Sequence, residues 1–135
     1  MKTINYLILL AFLATFGSCA TNAKFSISPI TPAAEGVAKI TKDKNKNYAI
    51  EINVKYFANP DRLTPPRQHY VVWISTDKEK YINLGMLVSN KSNKSYLKAV
   101  SASRPIQIFV TAEDVGDASY PGNEEIFHTQ PLNLR

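Results

Sequence analysis

Any catalysis or metal binding by this 135-residue chain has to draw on two histidines, one cysteine and eleven carboxylates. His69 and His128 fall at the ends of separate candidate strands. A metal site needs them to converge with a carboxylate; their placement suggests strand-edge residues instead, and no metal is expected. Glu113, Asp114 and Asp117 flank Gly116, but they lack the alternating oxygen series of a calcium loop and read as a polar turn. There is no Gly-x-Ser-x-Gly elbow and no glycine-rich phosphate loop. The expectation is a protein that is not an enzyme and carries no cofactor. Trp73 could stack on a sugar, but Val72 and Ile74 flank it and place it in a sandwich core. The aromatics expected to be exposed are Tyr120 and Phe57, in or beside loops.

The cysteine has a more specific context. Lys2 precedes an apolar or near-apolar run over residues 4–16, which leads into Phe16-Gly17-Ser18-Cys19. The run is too short to span a bilayer comfortably, and small residues precede the cysteine as a leader-cleaving peptidase requires. This segment resembles a bacterial lipoprotein signal, with a large apolar residue, two small ones and a cysteine. The resemblance implies that Cys19 carries a thioether-linked diacylglycerol and becomes the acylated N-terminus, so that membrane lipid is its first partner. Each buried methylene contributes about 0.8 kcal/mol, so two or three chains hold a protein permanently where one does not. Ala20, rather than Asp, follows Cys19, which by the sorting rules of such lipoproteins implies the outer membrane, with the leaflet left open. As the only cysteine, it has no intrachain disulfide partner.

The chain carries 16 basic and 11 acidic residues, net +5, and loses only Lys2 of these with the leader. The lysines lie in turn-like runs such as Lys42-Lys44-Lys46 and Lys78-Lys80, without interleaved aromatics. That pattern solubilises a surface and gives no nucleic-acid footprint. Residues 1–18 are therefore expected as a signal helix and 19–33, rich in Ser, Thr, Pro and Ala, as a lipidated tether; 25–30 could instead lie along a sheet edge.

Residues 34–135 are expected to form the domain. Segments 36–41, 48–57, 70–74, 80–85, 95–100, 105–113 and 125–129 carry strand patterns separated by polar turns. Residues 48–57 alternate, with Tyr48, Ile50, Ile52, Val54 and Tyr56 on one face, whereas Tyr70 to Ile74 is apolar on both. Residues 58–68 form a proline-rich loop and 115–123 a turn-rich connection. About seven short strands without a helical period predict an all-β fold, an immunoglobulin-like antiparallel β-sandwich.

From Tyr70 onward the chain resembles the extracytoplasmic C-terminal domain of anti-sigma-K factors. The positions that carry this are Tyr70, Trp73, Gly85, Val110, Thr111, Glu113 and, more loosely, Pro121 and Gly122. The resemblance implies an envelope-facing β-sandwich. No counterpart is expected here of the family's cytoplasmic sigma-binding domain or membrane-spanning helix, so the resemblance does not carry the regulatory function. The functions that follow are a tethered module binding an envelope protein or glycan, a structural accessory of an envelope complex, or a sensing module akin to those outer domains.

Overall fold

The computed structural model describes residues 19–90 and 92–134; the expected signal helix over 1–18 lies outside the described residues. Among the described residues, nine strands form two antiparallel sheets. The first sheet holds β1 (Ala20–Lys24), β2 (Glu35–Lys42), β3 (Tyr48–Lys55), β7 (Lys94–Ser101) and β6 (Val88–Ser89), in that order across the sheet. The second is ordered β5 (Tyr81–Met86), β4 (His69–Thr76), β8 (Pro105–Glu113) and β9 (Glu125–His128). With β2 as strand A, the orders β2-β3-β7-β6 and β5-β4-β8-β9 are the A-B-E-D and C′-C-F-G sheets of an immunoglobulin-like sandwich. β1 is an additional edge strand.

Alternation fixes which side chains enter the sandwich. Ala38 and Ile40 of β2, and Ile50, Ile52 and Val54 of β3, meet Tyr70, Val72 and Ile74 of β4 and Ile108 and Val110 of β8 in one buried cluster. Burying an aliphatic side chain of this kind contributes about 1.5–3 kcal/mol. The expected alternation in β3 ends one step early. Tyr56 has φ 57° and is 60% exposed, because the left-handed backbone there turns its side chain away from the inner face.

The inner set in β4 leaves Val71 and Trp73 on the other face. Trp73 is fully buried (0% exposed), but in a separate cluster with Val71 and Phe109, against which Ala118 packs. Trp73 is thus buried as expected, but on the outer face of the second sheet, under a connection that covers it, rather than between the two sheets. Its position in β4 has the same parity as the polar Ser75, which marks the outer set.

The N-terminal segment also departs from expectation. Residues 20–24, read as the start of a tether, pair in register with β2, from Ala20 opposite Thr41 to Lys24 opposite Val37. Phe25 then bridges to Thr129, and its ring lies 4.5 Å from that of Phe127, so the chain passes from the edge of one sheet to the edge of the other. The side chains of β1 are small or polar and give no hydrophobic period; the strand is held by backbone pairing, which sequence pattern does not reveal. The two strands beyond the expected seven are β1 and the two-residue β6.

Candidate functional site

The outer face of the second sheet is built around the connection between β8 and β9. Trp73 Nε1 donates to Thr111 Oγ1 at 2.8 Å. Thr111 Oγ1 in turn donates to Glu113 Oε1, which also accepts the Gly122 amide at 2.6 Å. This chain runs from the buried floor of the face to the far end of the connection. Asn83 of β5 holds the near end, donating through Nδ2 to the carbonyls of Gly116 and Ala118 at 3.0 Å each. Its Oδ1 accepts the amide of Gly85, whose φ of +127° suits glycine; β4 and β5 shift register opposite this point, between Val72 and Trp73.

Arg67 ties the loop over residues 58–68 to the same connection. Its Nε lies 2.9 Å from Glu124 Oε2 and its Nη1 3.0 Å from Asp114 Oδ2. The hydrogen bond to Glu124 is the main reason its pKa lies above the ordinary value. Beneath this loop, Tyr70 donates through its hydroxyl to the Ala58 carbonyl at 2.7 Å. Burial pushes its phenol pKa well above the ordinary value, and the negative charges of Glu124 and Asp61 add to the shift.

Held in this way, the connection walls an open cleft of about 430 Å³, within the size range of small-ligand sites. Tyr81, Phe109 and Tyr120 supply its aromatic surface. Tyr81 stands edge-on to Phe109, with centroids 5.7 Å apart, and edge-on to Tyr120 at 6.0 Å. Phe109 lies nearly parallel to Trp73 at 6.5 Å, so the buried indole backs the floor. Tyr81 is 46% and Tyr120 72% exposed. Ser75, Gln107 and Glu125 add polar groups to the lining. Gln107 gives its Nε2 to the Thr129 carbonyl, which turns its Oε1 away from that bond. Glu125 Oε1 is bonded to His128 Nδ1.

The expected site residues fall in different places. Cys19 is exposed and stands immediately before β1. His69 pairs with Glu113 and His128 with Phe109 on opposite sides of β8. That separates them by about 14 Å along the strand and about 10 Å across two strand spacings. The polar turn expected from Glu113, Asp114 and Asp117 is there, with Glu113 engaged by Thr111 and Gly122 and Asp114 by Arg67. Among the described residues, no group of three or more His, Cys, Asp or Glu side chains is placed to hold a metal ion. Tyr120 is exposed as expected. Phe57 is not: its ring stacks 3.9 Å from that of Tyr70 and 5.5 Å from that of Phe127, completing the core beside Phe25. Sequence reasoning missed Tyr81, Gln107 and Glu125 as site residues. They lie on three strands, and only the sheet order brings them together; the one local signal was Gln107 sharing strand parity with Phe109 and Thr111.

In comparisons with known proteins, the chain matches no protein-family model, no curated protein and no solved structure.

Proposed function

We propose that the protein is a cell-envelope lipoprotein, anchored through acylated Cys19 and presenting a non-catalytic β-sandwich whose outer-face cleft binds a saccharide of the envelope. The signal-like run ending in Phe16-Gly17-Ser18-Cys19 supports the anchor, as does the exposure of Cys19. The observation that carries the binding role is the cleft itself. Two exposed tyrosine rings stand beside Ser75, Gln107 and Glu125, and Phe109 between them packs on buried Trp73. A sugar ring needs this combination, because its C–H faces pack on aromatic surface while its hydroxyls take directional hydrogen bonds.

The reading as a binding module is supported by how the acidic groups are used. Glu113 is tied into the Thr111 and Gly122 bonds, and Glu125 is bonded to His128. Four of the positions that carry the likeness to anti-sigma-K outer domains (Trp73, Thr111, Glu113 and Gly122) are the links of the hydrogen-bond chain under the cleft. Their role here is to hold the connection between β8 and β9, so the likeness supports a shared scaffold and leaves the regulatory role aside.

Titration calorimetry with a panel of bacterial-envelope oligosaccharides tests the proposal. At least one member should bind, and Tyr120→Ala or Tyr81→Ala should weaken that binding about tenfold or more, the equivalent of about 1.4 kcal/mol, with the melting temperature little changed. Absence of binding across the panel, or binding indifferent to both substitutions, would contradict it.

A further inference from the structure

Strand directions gather three turns at the end of the sandwich where Cys19 stands. Ala20 lies opposite Thr41, Tyr48 opposite Ser101 and Thr76 opposite Pro105. The connections β2–β3, β4–β5 and β7–β8 therefore share that end. With the strand residues that flank them, their exposed charged side chains are Lys42, Lys44, Lys46, Lys78, Lys80 and Arg104 against Asp43, Asp77 and Glu79, six basic to three acidic, net +3 among the described residues. At the opposite end, the connections and the strand residues that flank them carry Lys24, Lys55, Arg62, Arg67 and Lys94 against Glu35, Asp61, Glu113, Asp114, Asp117, Glu124 and Glu125, five basic to seven acidic among the described residues, net −2. The molecule is thus polarised along its strands, with the positive end beside the cysteine.

The edge strand removes the slack. Ala20 is already paired with β2, so one residue, spanning at most about 3.6 Å, separates the cysteine from the sheet. A lipid on Cys19 would hold the three basic turns close to the headgroups, well inside the distance of about 8–10 Å over which salt screens charge at physiological strength. Each basic residue near an anionic leaflet is attracted to it, whereas the acidic end is repelled.

We propose that this basic end docks on anionic phospholipid headgroups. The strands then stand along the membrane normal, the acidic loops point away, and the cleft on the second sheet opens sideways, parallel to the membrane. The docking rests on the anchor through Cys19 but not on the saccharide reading. It turns a flexible attachment into a fixed orientation.

The test uses the mature lipidated protein with one added cysteine, Asn45→Cys at the β2–β3 turn or Asp117→Cys at the opposite end, carrying a fluorophore. Each is reconstituted into phosphatidylcholine vesicles with and without phosphatidylglycerol, and quenching by neutral aqueous acrylamide is read. With phosphatidylglycerol, quenching at position 45 should fall severalfold relative to position 117. High salt should restore it, as should the combined changes Lys42→Glu, Lys44→Glu and Lys46→Glu; the salt arm reads the same effect should that variant fold poorly. Equal quenching at the two positions, or no difference between the two vesicle types, overturns the docking while leaving the anchor intact. Flotation of the same samples reads the anchor separately. Protein that stays out of both vesicle fractions overturns the anchor, and the docking with it.

Discussion

Replacing Thr111 by Val keeps the shape of a buried side chain and deletes the atom that links Trp73 by hydrogen bonds to the β8–β9 connection. In the native protein, Thr111 Oγ1 accepts from Trp73 Nε1 at 2.8 Å and donates to Glu113, and Trp73 is out of reach of solvent at 0% exposure. The variant strands an indole N–H with no water to take its place, which costs about 1–3 kcal/mol. Glu113 also loses a charge-assisted bond, but it is only half-buried, so water offsets most of that loss. A destabilisation of about 2 kcal/mol is expected, a sizeable part of the roughly 5–15 kcal/mol that holds a domain together. At about 4 °C per kcal/mol for a domain of this size, the melting temperature should fall by about 8 °C. Urea unfolding of Thr111→Val, Trp73→Phe and the double variant isolates the interaction. In the double variant the orphaned N–H is gone, so it should be more stable than the sum of the single changes predicts, with a coupling of about 1 kcal/mol or more. A Thr111→Val protein within about 0.5 kcal/mol of the parent, or strict additivity in the cycle, would refute the account of how the cleft wall is held.

Tyr70 provides a pH signature. Its phenol has an ordinary pKa of 10.0 and is raised in the folded protein, so the folded state binds that proton more tightly. The resulting stability is complete below the unfolded value and declines as pH rises through the folded one. Tyr70→Phe should therefore flatten the loss of stability above about pH 10, and an unchanged alkaline profile would contradict this. Arg67→Ala should accelerate amide exchange in residues 58–68 and 114–124 together, since it bridges Asp114 and Glu124; acceleration in only one loop would show that the two are not coupled through it. A chain beginning at residue 34 should be less stable than one beginning at residue 19 and more prone to self-associate. It loses the stacking of Phe25 on Phe127 and bares the edge of β2; equal stability and solution state would argue that β1 is dispensable.

How far the sequence revealed this molecule depended on whether one face of a strand was polar. In β3, Glu51 and Asn53 alternate with Ile50, Ile52 and Val54, so both the strand and its buried face were legible. In β4 both faces are buried, and the pattern alone did not decide on which side Trp73 lay. Its burial was legible from the flanking apolar residues, but these look the same from either face, and the parity it shares with Ser75 was the only sign of the side. β1 was invisible because Ala20–Lys24 has nothing apolar to bury and is defined by its partner. The cleft was least legible. Ser75, Tyr81, Gln107 and Glu125 come from β4, β5, β8 and β9, and their proximity follows from sheet order rather than from spacing along the chain. Tyr120 alone could be anticipated, since an aromatic in a turn-rich connection has little to pack against.

The central claim is that this sandwich is held at a membrane by lipid on its first mature residue. Mass spectrometry of the N-terminal peptide from membrane-fraction protein tests it most directly. The account predicts a peptide that begins at Cys19, carries a diacylglyceryl group on its sulfur and does not react with thiol alkylating reagents. A mature N-terminus at another residue, or a Cys19 thiol that alkylates freely, would contradict it.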